Sequence, residues 1–311
     1  MNLQQLEYIL AVDEHRHFVR AAEACSVTQP TLSAMIQKLE EELGTAIFDR
    51  SKQPVRPTEA GEAILIQARR VLKEAQALKE IVSDQGNEIR GSLNLGIIPT
   101  LAPYLLPLFL KSFTDTYPGV HLEIHELTTE EILRRLERDQ LDAGLLVTPV
   151  KKDGFYETPL FYEPFRVYAG KGMPMPDKAY LAADDIDLNH LWLLEEGHCL
   201  RTQVMRLCEL KKQNSTGNSL NYASGSIESL IRMVDAYQGI TILPELAVID
   251  WEETKKARLY PFIDPVPQRE ISFVTARPAY KQRILEALGG GILGHLPASV
   301  SRVPEGMVVP I

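Results

Sequence analysis

Cysteine is scarce in this chain: three in 311 residues, at positions 25, 199 and 208. That is too few for a disulfide framework, so any disulfide formed here is expected to be transient or regulatory. Long apolar runs are missing as well. Nowhere do about 18 apolar residues follow one another, and the opening MNLQQLEYILAVDEHRHF lacks the basic start and unbroken apolar core of a secretory signal. The expectation is a cytoplasmic protein with no membrane partner. Positive charge is in deficit: 33 Lys and Arg against 42 Asp and Glu give a net charge of −9, which excludes bulk attraction to nucleic acid. A nucleic-acid reader with this balance has to concentrate its cations, and Arg50, Lys52 and Arg56 fall within seven residues. There is no internal repeat and no low-complexity tract.

With 45% hydrophobic and 24% charged residues the chain is of ordinary globular composition, long enough for two or three domains. Through about residue 57 apolar residues recur at helical spacing, and AIFDRSKQPVR, with its short extended pieces, suits a hairpin-like wing. A single long helix is predicted from Pro57 to about Gln85, capped by Thr58 and ended before Gly86 and Asn87. Along it Ile64, Ala68, Val71, Ala75, Leu78 and Val82 alternate spacings of four and three, a seam of coiled-coil type that favours dimerisation. After Gly91 strands and helices alternate, which predicts βαβ units and a mainly parallel sheet. The predicted strands are SLNLGII, VHLEIHE, LDAGLLV, FRVYAG, LWLLEE, GITILP and EISFVTA. The fold class is thus α/β. The reading divides it into a domain at 1–57, a linker helix at 58–90 and a two-lobed domain at 91–311. Lobe I takes 91–162 and 268–298, lobe II takes 163–267, and a ligand cleft is expected between them. The tail from Pro297 to Ile311 has no periodicity and is expected to be loosely held. Gly289, Gly291 and Gly294 match a dinucleotide-binding spacing in the wrong context, at the end of a helix, and are read as helix terminator and loop. No cofactor or metal is implied.

Residues 18–43, FVRAAEACSVTQPTLSAMIQKLEEEL, carry a helix-turn-helix pattern: Ser26 and Val27 turn the chain, Thr28 caps the second helix and Pro30 sits in its first turn. Leu32, Ile36, Leu39 and Leu43 form the expected buried stripe, while Gln29, Ser33 and Gln37 recur every four residues on another face. The run AAEACSVTQPTLSAMIQKLEEELGTAIFDR followed by PTEAG resembles the N-terminal signature of LysR-type transcriptional regulators. That resemblance implies a winged helix-turn-helix, a linker helix and a two-lobed effector domain of periplasmic-binding-protein type. It further implies double-stranded DNA as partner, with contacts from Gln29, Pro30, Thr31, Ser33, Gln37 and Arg56. Homodimers paired into homotetramers and RNA polymerase are the other partners it suggests. Cys25, on an apolar helix face, is expected to be packing only.

Two cysteines nine residues apart are a weak pattern until their setting is considered. In GHCLRTQVMRLC, Gly197 and His198 precede Cys199 at the start of a predicted helix, where N–H dipoles and Arg201 favour the thiolate. If 199–208 is helical, the two cysteines stand about 13–14 Å apart along the axis, at ~1.5 Å per residue. A disulfide needs Cα atoms within roughly 7 Å, so bonding them has to unravel the segment. GHCLR with a second cysteine nine residues on, IPT at 98–100, HELTT at 125–129 and the strand beginning at Arg269 resemble the peroxide-sensing OxyR branch of the LysR family. The resemblance implies that hydrogen peroxide is the signal. It makes Cys199 the residue oxidised to a sulfenic acid and Cys208 the thiol that resolves it, with Thr100, Thr129, His198, Arg201 and Arg269 around the peroxide. Thr202 stands where many relatives are acidic. The rival reading is a LysR-type regulator that binds a small metabolite between its lobes, with Ser226 as an anion contact at a helix N-terminus. A thiol peroxidase would leave the DNA-reading domain without a use, and an exported binding protein would leave residues 1–85 unexplained.

Overall fold

The computed structural model describes residues 1–83, 88–150, 152–208, 224–278 and 281–311; for 76, 77 and 79–83 only the helical backbone is described. The chain divides into two compact units, Met1–Glu88 with Arg138–Gln140 and Ile89–Glu137 with Leu141–Ile311.

In the first unit each helix begins where a polar side chain can take up free N–H groups. α1 (Leu3–His15) starts at Asn2, which exchanges side-chain to backbone bonds with Gln5 in a capping box. α2 (Phe18–Ala24) starts at His17, whose ring accepts from the Val19 N–H. α3 (Gln29–Leu43) starts at Thr28, whose oxygen accepts from the Thr31 N–H, and stops at Gly44 in the left-handed region. Between α2 and α3 the chain turns at Ser26, φ 55°. β1 (Phe48–Asp49) and β2 (Arg56–Pro57) pair antiparallel as the expected wing. Thr58 then caps α4 (Glu59–Ser83), accepting from the Gly61 N–H at 2.9 Å.

Leu32, Ile36 and Leu39 are fully buried with Ile9, Val12 and Ala21. Leu43, expected in the same stripe, is exposed, because it is the last helical residue and the core ends at Leu39. The seam of α4 also needs correction over its first half. Ala68 is buried in this unit's own core, and Ile64 and Val71 pack against it, so these positions serve the first unit itself. Leu78 is 68% exposed and remains open to a partner, whereas the Val82 side chain and the predicted helix end at 84–87 lie outside the described residues.

The second unit is built on β3 (Gly91–Ile97), α5 (Ala102–Thr116), β4 (Val120–Glu126), α6 (Thr129–Glu137), β5 (Ala143–Thr148) and β6 (Tyr156–Ala169). There follow α7 (Cys199–Leu207), α8 (Ile227–Ala236), β7 (Ile240–Pro244), α9 (Glu253–Lys256), β8 (Leu259–Pro261), β9 (Pro267–Thr275), α10 (Gln282–His295) and β10 (Met307–Val308). The strand order is β4-β3-β5-β9-β6-β7, with β10 beside β9 and β8 beside β6. Only β4-β3, β3-β5 and β9-β10 are parallel; β5-β9, β9-β6 and β6-β7 are antiparallel. The sheet is therefore mixed rather than mainly parallel, because the two crossing strands, β6 and β9, run against each other and against β7 and β5. β6 makes the handover: Tyr156–Pro164 pairs with β9, and Phe165–Ala169 pairs with β7.

Two apolar cores result. One gathers Leu95, Ile97, Phe109, Ile132, Leu145 and Phe161. The other gathers Phe165, Val167, Leu200, Val204, Leu230 and Ile242. α6 lies so close to β5 that a Cβ on Gly144 would meet Ile132 Cγ2 at 2.5 Å, which requires glycine there.

Three further expectations change. Among the described residues LWLLEE makes only isolated bridges, Leu191 to Ile240 and Leu194 to Ser224, because its backbone is tied at single points without a continuous ladder. Gly289, Gly291 and Gly294 lie inside α10, where Gly289 and Gly291 let the helix approach Phe273 and Phe113. The tail is docked, not loose. β10 pairs with the start of β9, Val309 is buried in the second core, and Ile311 packs against the first. Its carbonyls accept from α7, Val309 O from Gln203 Nε2 at 2.6 Å and Pro310 O from Arg206 Nη1 at 3.4 Å. No helix among the described residues is long and apolar enough to cross a membrane.

Ending the chain after Gly306 would expose the Val309 site and strip buried Gln203 of its acceptor. The expected cost is about 2–5 kcal/mol, a valine burial plus an orphaned polar group. An unchanged urea midpoint for the truncated protein would show that the tail adds nothing.

Candidate functional site

The chain enters α7 through Gly197, whose φ of +95° suits glycine, and His198, which occupies the cap position. Cys199 is thereby the first helical residue, with its sulfur near the free N–H groups of the first turn. The helix runs on to Leu207 with Cys208 as its C-cap, so the segment between the cysteines is helical as the sequence suggests. The thiols are free and belong to different cores: Cys199 is buried in the first, and Cys208 is half-buried against the second.

Burial pushes the Cys199 thiol above the ordinary cysteine range. The Arg269 guanidinium pulls hardest the other way, followed by the Thr129 hydroxyl and the N–H groups of Leu200 and Cys199 itself. The cation that favours the thiolate is therefore Arg269 and not Arg201, whose Nη1 donates to Leu194 O at 2.8 Å. His198 is buried, with Nε2 3.7 Å from Glu195 Oε1. Burial also raises the Cys208 thiol, to about 11.

A cavity of about 360 Å³ opens on this site, lined by Thr129, Lys152, His198, Cys199, Thr202 and Ile311 among others. Thr129 is the first residue of α6, but the cap is Thr128, whose oxygen accepts from the Glu131 N–H. The Thr129 hydroxyl is left free of that duty. It has no hydrogen-bond partner among the described residues, yet it lies close enough to the Cys199 sulfur to favour the thiolate. Thr100 and Arg269 do not line this cavity; both are buried, with Arg269 Nη1 donating to Thr100 Oγ1 and Nη2 to Thr100 O, each at 3.1 Å. The structure thus places Cys199, Thr129 and His198 at the opening and couples Thr100 and Arg269 to each other. Sequence reasoning missed Glu163, the fully buried partner of Arg269. An acid in the apolar run FYEPF was the only signal. Ser226 is spent on its own helix, accepting from the Ser229 N–H at 3.2 Å and donating to Ser229 Oγ at 3.0 Å, so it is not poised as an anion site.

The first unit has its own groove of about 440 Å³, lined by Arg16, His17, Arg20, Gln29, Ser33, Arg50 and Lys52 among others. Gln29, Pro30, Thr31 and Gln37 are exposed on α3, Ser33 is half-buried, and Arg56 is exposed on β2. Arg50 is held over the Phe18 ring and donates to Glu40 Oε2 at 2.8 Å and to Ser33 Oγ at 3.4 Å. The Thr31 hydroxyl is shared with that of Thr28 at 2.8 Å, and Gln37 Nε2 donates to Glu41. Arg16, His17 and Arg20 were not among the sequence candidates. The basic run HRHFVR was their signal, and the fold brings it beside Gln29.

Residues 3–62 match the bacterial regulatory helix-turn-helix proteins of the lysR family, and residues 86–295 match the LysR substrate binding domain. The chain is 38% identical over 300 residues to the DNA-binding transcriptional dual regulator OxyR of Escherichia coli K12, covering 95% of this chain and 97% of that one. It is 39% identical over 274 residues to the hydrogen peroxide-inducible genes activator of Pectobacterium carotovorum, covering 88% and 90%. Among solved structures, full-length Pseudomonas aeruginosa OxyR with its cysteine changed to aspartate superposes with a TM-score of 0.79 at 34% identity, covering 96% of this chain and 99% of that one. A hydrogen peroxide-bound cysteine-to-serine mutant of Corynebacterium glutamicum OxyR gives 0.60 at 28%, covering 94% and 92%. With matches to both its DNA-reading and its effector portions, the chain belongs to the LysR family of bacterial regulators, in its OxyR branch.

Proposed function

We propose that this protein is a cytoplasmic, hydrogen peroxide-sensing transcription regulator that binds double-stranded DNA and is switched by a reversible Cys199–Cys208 disulfide. The observation that carries the reading is the pair of reduced thiols at the two ends of α7, one beside Arg269 and Thr129 and the other in a separate core. The Cys199 thiolate attacks one oxygen of peroxide. An S–O bond forms, the O–O bond breaks, and the departing hydroxide takes a proton to leave as water. Thr129 and His198, at the opening, orient the peroxide, and Arg269, held by Thr100, stabilises the charge that develops on it.

Cys208 is then the resolving thiol. Its raised pKa in the folded helix keeps it protonated at neutral pH, and exposure by unwinding of α7 returns it to the ordinary range near 8.5. Its thiolate attacks the sulfenic sulfur, and hydroxide leaves and is protonated. Both cysteines are oxidised and one peroxide is reduced to two waters. Release of α7 is the conformational output. On the DNA side Gln29, Pro30, Thr31, Ser33 and Gln37 face the major groove and Arg56 the backbone, with Arg16, Arg20 and Lys52 adding cations. Homodimers through the exposed end of α4, assembled into homotetramers and acting on RNA polymerase, complete the reading. The chemistry is that of a signal receiver and not of a turnover enzyme.

A stoichiometric dose of peroxide is expected to give a Cys199–Cys208 cross-linked peptide in a non-reducing map. Cys208→Ser should instead accumulate the sulfenic acid, trapped by a 1,3-dione. A wild-type map with no cross-link, or one through Cys25, overturns the switch.

For DNA, Gln29→Ala and Ser33→Ala should erode discrimination between operator and random duplex by about 1–3 kcal/mol each. Arg56→Ala should weaken both duplexes alike and lower the salt slope by about one. Equal losses on both duplexes from all three variants would remove α3 as the reading helix. For assembly, Leu78→Glu should shift sedimentation equilibrium toward smaller species, and an unchanged mass would place the interface elsewhere.

A further inference from the structure

Glu163 and Arg269 face each other across the antiparallel β6–β9 ladder, directly in register. Both side chains are fully buried. Glu163 Oε2 accepts from Arg269 Nε at 2.8 Å and lies 2.8 Å from Nη2, while Oε1 accepts from the Leu246 N–H at 2.7 Å. Among the described residues the hydrogen bonds to the Glu163 carboxyl come from N–H groups, the pattern that suits a carboxylate, although the Glu245 charge nearby disfavours it. Burial pushes its pKa up, and the Arg269 charge and the Leu246 N–H oppose that rise. Thr100 takes up Nη1 through its hydroxyl and Nη2 through its carbonyl. The guanidinium is thus pinned on two sides. Arg269 is also the strongest influence favouring a Cys199 thiolate.

We infer that Glu163 is a positioning residue for peroxide sensing: it holds Arg269 in one orientation, so that the cation acting on the reacting centre at Cys199 is fixed in place. The inference rests on the peroxide-pocket reading above. A glutamine at 163 presents one oxygen and one NH2 group to two sets of N–H donors. It must abandon either Arg269 or Leu246, and the guanidinium loses its fixed plane. The Leu246 bond adds a second consequence. Leu246 follows β7 in the chain while its side chain packs in the first core with Cys199, so Glu163 ties the setting of the pocket cation to the packing of that core.

The test uses the full-length chain with Cys208→Ser, so that oxidation stops at the sulfenic acid. Two quantities are measured: the second-order rate of sulfenic acid formation with hydrogen peroxide, and the pH midpoint of Cys199 alkylation by iodoacetamide. Glu163→Gln is expected to slow the peroxide reaction by at least about tenfold and to move the alkylation midpoint upward. In an Arg269→Lys background the same substitution should add little, because its effect runs through the arginine. Glu163→Asp, which keeps the charge, should recover part of the rate; it also supplies the measurement if the glutamine variant does not fold. Wild-type rate and midpoint in folded Glu163→Gln, despite a lowered melting temperature, would make the residue structural and overturn the inference while leaving the pocket intact. A downward midpoint would overturn it too, since Glu163 would then be restraining the cation's charge instead of aiming it. If Arg269→Lys itself leaves both quantities unchanged, the pocket reading fails and this inference with it.

Discussion

The central constraint is the length of an α-helix. The nine-residue helix that begins at Cys199 holds it farther from Cys208 than a disulfide can span, and each sulfur is anchored in its own apolar core. In the proposed switch, reduction and helix are therefore one state, and the disulfide with a melted α7 is the other. The rest of the effector unit makes the first state firm. Leu200 and Val204 hold α7 to the second core, and Gln203 is tied to the tail through Val309 O. Chemistry at one sulfur has to undo that packing before it can be completed at the other.

The site's electrostatics follow from its burial. A buried thiol resists ionisation, and the protein offsets this with a buried cation that must itself be neutralised. Arg269 is neutralised by Glu163 and shared with Thr100, and these contacts knit the crossing strands β6 and β9 to the loop ahead of α5. The mixed order of the sheet serves this arrangement, because the antiparallel β6–β9 pair sets Glu163 directly opposite Arg269. Helix capping at α6 contributes in the same way. With Thr128 taking the cap, Thr129 is free to present its hydroxyl to the sulfur.

Much of this was legible in the sequence where local rules suffice. The helix-turn-helix follows from Thr28, Pro30 and the stripe Leu32, Ile36 and Leu39. The helix between the cysteines follows from Gly197 and His198 ahead of a helical pattern. Local rules misled where a distant partner decided. Ala68 has the spacing of an intermolecular seam but is covered by its own domain. Gly289 and Gly291 look like a helix end but sit within a helix that presses on Phe273 and Phe113. The tail lacks periodicity because it is held by strand pairing and single hydrogen bonds, which leave no repeating pattern of apolar residues.

By itself the sequence determined the division of labour: a DNA-reading head, a long helix, an α/β effector and a cysteine at a helix start with a second thiol nine residues on. Capping, periodicity and spacing are short-range physics, and they are written in neighbouring residues. Only the tertiary structure decided which cation serves Cys199. Arg201, two residues away, is turned to a backbone carbonyl, while Arg269, seventy residues on, is brought to the sulfur by a strand crossing. The reason is desolvation. A charge can be kept in a dry core only where the fold supplies its counter-charge and hydrogen bonds, and the residues that do so here, Glu163 and Thr100, are more than a hundred positions away along the chain.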